Sequence, residues 1–364
     1  KPDFRAEVIS LARERAAKPY LPIPDVTGGA LARSYDSYRR IRFLEKNAHW
    51  YRRPPGFEVH PLPLGWLFKR PVRLLTLPRG ASAPVPLTFP VSAFDDQRIG
   101  QPPAPVIADM PLSGFRINGP LNAEARSDEI IAFQGASYFR ALGKNHAYGL
   151  SARGLAIGTA SSRGEEFPEF QKFWIEEPAL GAREIVVHAL LDSQSTTGAY
   201  RFRIRPGVET LIDTDVTLFP RRDLAEIGIA PLTSMYWLGP IAQPRSFDFR
   251  PRVHDSDGLA ILNGNGERIW RPINNPAALQ ISVFVDDAIG GFGLMQRERG
   301  FDAYQDLEAR YERRPSLWIE PKSGFGPGNI ILVEIPTENE VNDNVVAFWR
   351  PKEPVRAGNA TSFS

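Results

Sequence analysis

The densest group of reactive side chains in the sequence lies at residues 254–258. His254, Asp255 and Asp257 place an imidazole and two carboxylates within five residues, directly ahead of Gly258. Carboxylates of this kind can act as general acids and bases when their surroundings adjust their pKa values. Asp, Ser and Gly also favour turns, so an Asp-rich turn without any chemistry explains the same residues. The segment is therefore a candidate catalytic site, and Asp255 is its central residue.

Aromatic, acidic and amide side chains elsewhere in the chain are typical of a sugar-binding cleft. Aromatic rings cover the apolar faces of a pyranose, while carboxylates, amides and guanidinium groups bond its hydroxyls. Packing in the core explains the two tryptophans equally well. The residues concerned are Glu166, Glu169, Trp174, Trp270, Arg271 and Asn274.

Other kinds of chemistry find little support in the sequence. With no cysteine there is no thiolate ligand or cysteine nucleophile. The histidines lack the short spacings of zinc sites, so we expect no metal and no cofactor. There is no Gly-x-Ser-x-Gly motif, and Gly326-Pro327-Gly328 is not followed by the Lys-Ser/Thr of a phosphate-binding loop. The histidines are His49, His60, His146, His188 and His254.

Charge and hydropathy exclude further classes of protein. Lys and Arg number 44 and Asp and Glu 42, a net charge of +2, which argues against a nucleic-acid partner. The cluster Arg310, Arg313 and Arg314 is interpreted as a solvated face. No run of 18 apolar residues exists that could span a bilayer, and the start at Lys1-Pro2 is typical of a trimmed or mature chain.

The periodicity of the sequence predicts the elements that must position these residues. Residues 3–17 have helical spacing with Asp3 as N-cap, and a second short helix is predicted over 34–46. From about residue 57 the period becomes two, as where apolar residues alternate with arginines over 200–205 or with polar residues over 279–286. The 34 prolines and 30 glycines are spread along the chain and punctuate short strands. The sequence therefore predicts an all-β fold, a large antiparallel β-sandwich with a short helical N-terminal edge.

Several short motifs, in this order, resemble the OpgG/OpgD (MdoG) family of periplasmic glucan biosynthesis proteins. They include Gly-Glu-Glu-Phe-Pro at 164–168, His-Asp-Ser at 254–256 and Arg-Pro-Ile-Asn-Asn-Pro at 271–276. The resemblance covers about residues 130–350 and is looser before them. The other matching segments are residues 135–140, 148–157, 189–193, 197–200, 230–235, 291–294, 314–316 and 334–337.

The resemblance implies a fold, a location and an activity. It implies a glucan-acting sandwich of galactose-mutarotase-like type, here residues 1–350, with 351–364 as a linker or tail and the family's C-terminal immunoglobulin-like domain apparently absent. It implies a periplasmic protein that acts on the β-1,2-glucan backbone as an inverting hydrolase or as a transglycosylase. A homodimer and a membrane glucan synthase are the protein partners that it implies. A non-catalytic glucan-binding scaffold for such a synthase is the alternative, and a monosaccharide epimerase rests on fold analogy alone.

The resemblance also assigns roles to individual residues. Asp255 matches the general acid, and Glu166 ranks ahead of Glu169 as the second carboxylate that an inverting mechanism needs. Asp257 is expected to contact the substrate or to adjust the pKa of the acid. His254 and Tyr304 complete the expected substrate contacts, although Tyr304 also suits a subunit contact. Gly158 stands where relatives carry an aspartate, which predicts weak hydrolysis or glycosyl transfer.

Overall fold

A computed structural model describes residues 3–26, 34–96, 109–124, 126–241 and 248–364. The described helices are α1 (Phe4–Ala16), α2 (Tyr35–Tyr38) and the 3-10 turns Glu45–Asn47, Val91–Ala93, Phe301–Ala303 and Tyr311–Arg313. The described strands are β1 (Ile41–Phe43), β2 (Glu58–Pro63), β3 (Arg73–Leu77), β4 (Val85–Pro86), β5 (Phe94–Asp96), β6 (Leu112–Gly119), β7 (Asp128–Gln134), β8 (Tyr138–Ala141), β9 (Ser151–Arg153), β10 (Ala156–Ile157), β11 (Glu169–Glu176), β12 (Ile185–Asp192), β13 (Thr196–Arg205), β14 (Leu211–Pro220), β15 (Ile227–Ser234), β16 (Tyr236–Leu238), β17 (Val253–His254), β18 (Gly258–Leu262), β19 (Arg268–Pro272), β20 (Gln280–Asp286), β21 (Gly291–Met295), β22 (Leu317–Ile319), β23 (Gly328–Glu334), β24 (Val345–Pro351) and β25 (Thr361–Phe363).

The chain divides into two compact units. The first comprises Lys1–Ser137 and Glu169–Leu218, and the second Tyr138–Pro168 and Phe219–Ser364. Almost all strand pairs are antiparallel, with β3 and β11 a parallel exception. The prediction of a predominantly β fold with a helical N-terminal edge is confirmed, whereas the galactose-mutarotase-like type stays a prediction. Among the described helices, none is long and apolar enough to cross a membrane.

The first unit contains two runs of paired strands. One run has the order β2-β6-β7, and the other the order β14-β13-β12-β11-β3-β4. Strand β13 shows why this sequence folds as a sheet: Tyr200, Phe202 and Ile204 are buried, and the arginines between them are half-buried. Alternation with period two thus separates a core face from a wetter face.

The N-terminal helix α1 lies against strands β12 and β13. Its N-cap Asp3 accepts a hydrogen bond from the Arg5 backbone N–H, as its sequence predicts. Val8 and Ala12 are buried, and Thr197 Oγ1 donates to the Ala12 carbonyl at 2.7 Å. The predicted helix over 3–17 is therefore confirmed to within a residue at each end.

The second predicted helix, over residues 34–46, is wrong beyond its first turn. Helix α2 ends at Tyr38, and strand β1 comes next at Ile41–Phe43. Strand β1 pairs with β5, where Phe43 lies opposite Phe94. Pairing with a distant strand thus overrides a local helical pattern.

The second unit holds the long sheet segment β8-β9-β15-β24-β23-β20 and the four-stranded sheet β19-β18-β21-β22. Its edge strand β20 has the predicted alternation, but Ile281, Val283 and Val285 are exposed rather than buried. The predicted boundary at residue 350 stays a prediction. Beyond it, β25 forms at residues 361–363, and Phe363 packs against Phe325 and Trp349.

Candidate active site

Asp255 comes directly after strand β17 in the second unit, and the backbone fixes its position. Strand β17 pairs with β16 so that His254 lies opposite Tyr236. The Asp255 N–H donates to the Met235 carbonyl at 2.8 Å, and the Asp257 N–H donates to the Met295 carbonyl at 2.8 Å. The Asp-rich segment is thus anchored on both sides rather than forming a free surface turn.

The carboxyl group of Asp255 is buried and lies among charged side chains. Burial raises its pKa to about 6, because removal from water penalises the ionised form. The positive charge of Arg314, whose Nη1 donates to Asp255 Oδ1, opposes that rise, as does Arg140. The negative charge of Asp343 adds to it. A carboxyl that titrates near neutral pH is suited to proton donation.

Arg314 is fixed by its own turn. Its Nε donates to the Ala309 carbonyl at 3.1 Å, and its guanidinium lies 4.2 Å from the centre of the Tyr311 ring. The side chain of Arg314 is 19% exposed. The interpretation of Arg310, Arg313 and Arg314 as a solvated face is therefore wrong for Arg314. Its guanidinium binds the buried carboxylate of Asp255, which is 59 residues away in the sequence.

His254 is fully buried and lies between two aromatic rings. It stacks on Tyr236 at 5.1 Å between ring centres and meets Tyr304 edge-on at 5.3 Å. The Gln296 amide donates through Nε2 to the His254 carbonyl, which leaves Gln296 Oε1 to accept from His254 Nδ1 at 2.8 Å. Burial lowers the pKa of His254 to about 4, so its imidazole is neutral at physiological pH. These contacts favour a role in positioning the strand before Asp255.

Asp257 and Tyr304 each bind the segment that follows strand β21. The Arg297 N–H donates to Asp257 Oδ1 at 3.2 Å, and burial raises the pKa of Asp257. Tyr304 is buried, its hydroxyl donates to the Glu298 carbonyl at 3.0 Å, and burial raises its pKa. Tyr304 thus packs against the His254 ring, while Asp257 accepts a hydrogen bond from the backbone of the segment after β21.

Trp270 is half-buried on strand β19 and covers Gly258 on strand β18. A Cβ at position 258 would lie 2.1 Å from the Trp270 ring. The Arg297 guanidinium lies 4.4 Å from the centre of the same ring. Only glycine allows the indole to lie this close to the backbone, directly after the acidic segment.

Gly258→Ala is expected to destabilise the protein by about 1–3 kcal/mol, because the indole of Trp270 must move. The free energy of unfolding in urea measures this loss. Gly326→Ala is the matched control, since a Cβ there meets nothing within 4 Å. Equal stabilities of the two variants would contradict the close packing of the indole on Gly258.

The Arg271 side chain and the Asn274 backbone N–H both bind one buried carboxylate, that of Glu334. Arg271 Nη2 donates to Glu334 Oε2 at 2.8 Å, and the Asn274 N–H donates to Glu334 Oε1 at 2.7 Å. The side chain of Glu334 is 0% exposed. Both residues thus connect the segment after β19 to the end of β23.

Glu166 lies in the second unit on the loop after β10. Its N–H donates to the Ile157 carbonyl, and its Oε2 lies 3.1 Å from Arg222 Nη2. Its neighbour Glu165 binds Arg153 Nη2 at 2.5 Å and accepts from Thr159 Oγ1 at 2.6 Å. The catalytic role of Glu166 stays a prediction.

Glu169 and Trp174 belong to the first unit, on strand β11. Glu169 Oε1 accepts from Arg70 Nη1 at 2.5 Å. Trp174 is 1% exposed, and its ring lies 5.7 Å from that of Phe4 on helix α1. The contacts of Trp174 are those of a core residue, and the catalytic role of Glu169 stays a prediction.

Gly158 has a backbone that favours glycine. Its φ is +69°, and a Cβ there would lie 2.9 Å from the Gly164 carbonyl oxygen. An aspartate at this position therefore requires the loop over 158–164 to shift. The expected departure from the family pattern at Gly158 stays a prediction, at a position whose backbone favours glycine.

Sequence reasoning missed Asp343 and Arg140, whose charges act on Asp255. Asp343 precedes β24 and forms an ion pair with Arg140 at 3.7 Å. The signal in the sequence was the run Asn342-Asp343-Asn344, which is typical of a functional turn as much as a structural one. Among the residues that the structure describes, no cluster of three His, Asp or Glu side chains is suited to a metal ion.

Comparison with known proteins places this chain in a family. The model of the family described as periplasmic glucan biosynthesis protein, MdoG, matches residues 4–364. The chain belongs to this family. It is 50% identical over 358 residues to glucans biosynthesis protein G of Vibrio cholerae and 49% identical to the protein of the same name from Shewanella frigidimarina. Glucans biosynthesis protein G 1 of Shewanella oneidensis is 48% identical.

The match to these MdoG relatives covers nearly the whole chain but only part of each relative. It includes 98% of this chain, 65% of the Vibrio cholerae protein and 64% of the Shewanella frigidimarina protein. The MdoG family is one of periplasmic proteins of glucan biosynthesis. The chain thus shares the periplasmic location that the description of the family names.

Proposed function

We propose that this chain acts on the β-1,2-glucan backbone as an anomer-inverting glycoside hydrolase or transglycosylase, with Asp255 as general acid. The observation that carries the proposal is a buried carboxyl whose pKa is raised to about 6, held by the backbone next to Arg314. Membership of a glucan biosynthesis family supports a glucan as the substrate. The β-1,2 linkage comes from the resemblance of the motifs.

The reaction needs a proton at the leaving oxygen. The protonated Asp255 donates it to the glycosidic oxygen as the bond to the anomeric carbon breaks. Attack by water gives hydrolysis, and attack by a sugar hydroxyl gives transglycosylation. Gly158 favours the second outcome in this proposal, since the resemblance implies an aspartate at that position in relatives.

Substrate contact is proposed for the residues around the acid. The half-buried ring of Trp270 and the carboxylate of Asp257 share Arg297 as a neighbour, and Trp270 packs on Gly258, directly after the acidic segment. Arg271, Asn274 and His254 are better suited to holding the backbone, because their polar atoms bind protein groups. Glu166 remains a candidate for the second carboxylate.

The raised pKa of Asp255 predicts how activity depends on pH. The acid is active only when protonated, so kcat/KM is expected to fall about tenfold for each pH unit above about pH 6. Initial rates on linear β-1,2-glucan between about pH 4.5 and about pH 9 measure this fall in kcat/KM, because the range extends below and above the pKa of Asp255. A rate that stays constant over the two pH units above the pKa of Asp255 would contradict its assignment as acid.

A non-catalytic glucan-binding scaffold for a membrane glucan synthase is the second candidate function. The bond from Arg314 favours it, because an arginine beside a carboxylate stabilises the ionised form, which binds hydroxyls but donates no proton. Incubation of the protein with linear β-1,2-glucan, followed by chromatography, separates the two. New oligosaccharides support the enzyme, and unchanged glucan at high protein concentration supports the scaffold. A homodimer is proposed for both.

A further inference from the structure

We infer that Arg250 is a positioning residue for the Asp255 site: through two chains of contacts it holds the guanidinium of Arg314 against the Asp255 carboxyl. The inference rests on the proposed function and deepens it. It gives a role to an arginine that precedes strand β17 and that the sequence motifs did not single out.

Arg250 binds three carboxylates at once. Its Nη2 and Nε donate to Asp248 at 2.8 and 3.0 Å, and its Nη1 donates to Asp306 at 2.7 Å and to Glu340 at 2.8 Å. The side chain of Arg250 is 12% exposed. The bond from Arg250 lowers the pKa of Asp248, so that carboxylate alone balances the cation. The bonds to Asp306 and Glu340 tie Arg250 to two further segments of the chain.

The first chain of contacts runs through Glu340 and Tyr311. The Tyr311 hydroxyl donates to Glu340 Oε2 at 2.7 Å, the same oxygen that accepts from Arg250 Nη1. Tyr311 is buried, and the Arg314 guanidinium lies 4.2 Å from the centre of its ring. Arg250 thus fixes the aromatic face against which the Arg314 cation lies, and a cation–π contact of this kind restricts where that cation can be.

The second chain of contacts runs through Asp306 and Ala309. Asp306 Oδ2 binds Arg250 Nη1, while its Oδ1 accepts from the Ala309 N–H at 2.7 Å. The Ala309 carbonyl in turn accepts from Arg314 Nε at 3.1 Å. Both chains therefore begin at one nitrogen, Arg250 Nη1, and end at one guanidinium, that of Arg314.

The contact at the end of both chains acts on the proposed acid. Arg314 Nη1 donates to Asp255 Oδ1, and its positive charge opposes the rise in the pKa of Asp255 that burial causes. The charge of Arg140 acts in the same direction as Arg314, and that of Asp343 acts in the opposite one. Loss of Arg250 is therefore expected to loosen Arg314 and to raise the pKa of Asp255 further.

A purely structural role for Arg250 predicts a different result. The Arg250 guanidinium also lies 5.8 Å from the centre of the Trp237 ring on strand β16. A network that only stabilises these segments would lower the free energy of unfolding when Arg250 is replaced, but it would leave the pKa of Asp255 unchanged. The pH dependence of activity thus separates the two roles.

The test compares Arg250→Met, Arg314→Met and the double variant, using kcat/KM on linear β-1,2-glucan between about pH 4.5 and about pH 9. In Arg314→Met, the pH at which kcat/KM falls to half is expected to rise by about 1, since a positive charge beside the carboxyl is gone. Arg250→Met is expected to show at least about half of that rise. The double variant should show no more than Arg314→Met alone, because Arg250 acts through Arg314.

Further variants serve as controls. Arg356→Met is the matched control, since Arg356 forms an exposed ion pair with Asp223 in the same unit, and it is expected to keep the wild-type pH profile. Tyr311→Phe and Asp306→Asn each interrupt one chain of contacts and are expected to give smaller rises than Arg250→Met. These two milder variants carry the test if Arg250→Met does not fold.

The pKa of Asp255 is also measured without substrate. It follows from the pH dependence of the difference in free energy of unfolding between each protein and its Asp255→Asn counterpart. A wild-type pKa of Asp255 in Arg250→Met, or effects of Arg250→Met and Arg314→Met that add in the double variant, would overturn the inference. If the wild-type protein forms no product, the proposed function fails, and the substrate-free pKa values then decide whether Arg250 positions Arg314.

Discussion

Asp255→Asn is expected to lower the turnover of linear β-1,2-glucan by about 10²–10⁴-fold, the usual contribution of a general acid. The amide keeps the shape of the side chain and can still accept the bond from Arg314, but it has no proton to donate. Chromatography of the products over time measures the loss. Turnover unchanged from the wild type would remove Asp255 from the mechanism.

The same substitution is expected to make the protein more stable at high pH. Folding raises the pKa of Asp255 from its ordinary value of 3.8 to about 6, so the stabilising form is the protonated one. Its contribution is present below about pH 4 and is lost as the pH rises through about 6. Asp255→Asn should therefore unfold at a higher urea concentration than the wild type at about pH 8, by about 1–3 kcal/mol, and show little difference at about pH 4.

These two results together distinguish a catalytic acid from a structural aspartate. A structural aspartate stabilised by Arg314 would lose stability on substitution at every pH above its ordinary pKa. Asp223→Asn, at the exposed ion pair with Arg356, is expected to keep wild-type turnover and to change stability little. Lower stability of Asp255→Asn in alkaline buffer would show that the bond to Arg314 outweighs the cost of burial.

Glu334→Ala is expected to destabilise the protein by about 3–5 kcal/mol, since its fully buried carboxylate accepts from Arg271 Nη2 and the Asn274 N–H. Its removal leaves a partly buried guanidinium and a backbone N–H without their partner. Such a loss costs far more than that of an exposed ion pair. The free energy of unfolding in urea measures the effect.

Two further variants serve as comparisons for the loss of stability in Glu334→Ala. Glu353→Ala removes an exposed glutamate in the same unit and is expected to change stability by less than about 0.5 kcal/mol. Glu334→Gln keeps one acceptor oxygen and should fall between the two alanine variants. A loss in Glu334→Ala no larger than in Glu353→Ala would show that Arg271 and Asn274 find other partners.

The sequence predicted the elements whose cause is local. The helix α1 was predictable from its N-cap Asp3 and the helical spacing of Val8 and Ala12, and β13 from the alternation of Tyr200, Phe202 and Ile204. Strand β1 was not, because it depends on pairing with the distant strand β5. The exposure of β20 also escaped prediction: alternation shows that a strand has an apolar face, but not whether anything packs on it.

The residues of the candidate site also differ in how far the sequence alone predicts them. Asp255 and Asp257 stood out because they are adjacent in sequence to turn residues and match a known motif. Arg314 and Asp343 did not, since each approaches Asp255 only through the fold, from 59 and 88 positions away. Trp174 and Arg271 illustrate the converse: residue types suited to sugar binding also suit a core, and only burial separates the two uses.

Asp255, the proposed acid, and the cation beside it occupy different kinds of structure. Asp255 comes after a paired strand, whereas Arg314 comes from the short turn after Tyr311–Arg313, which begins at a left-handed Arg310. A change confined to position 314 can withdraw the cation, whereas a change in the turn itself also reaches β17, because Tyr311 packs in the same buried cluster as Val253. Under the proposed function, the working pH can thus drift during evolution through position 314, while Asp255 stays in place.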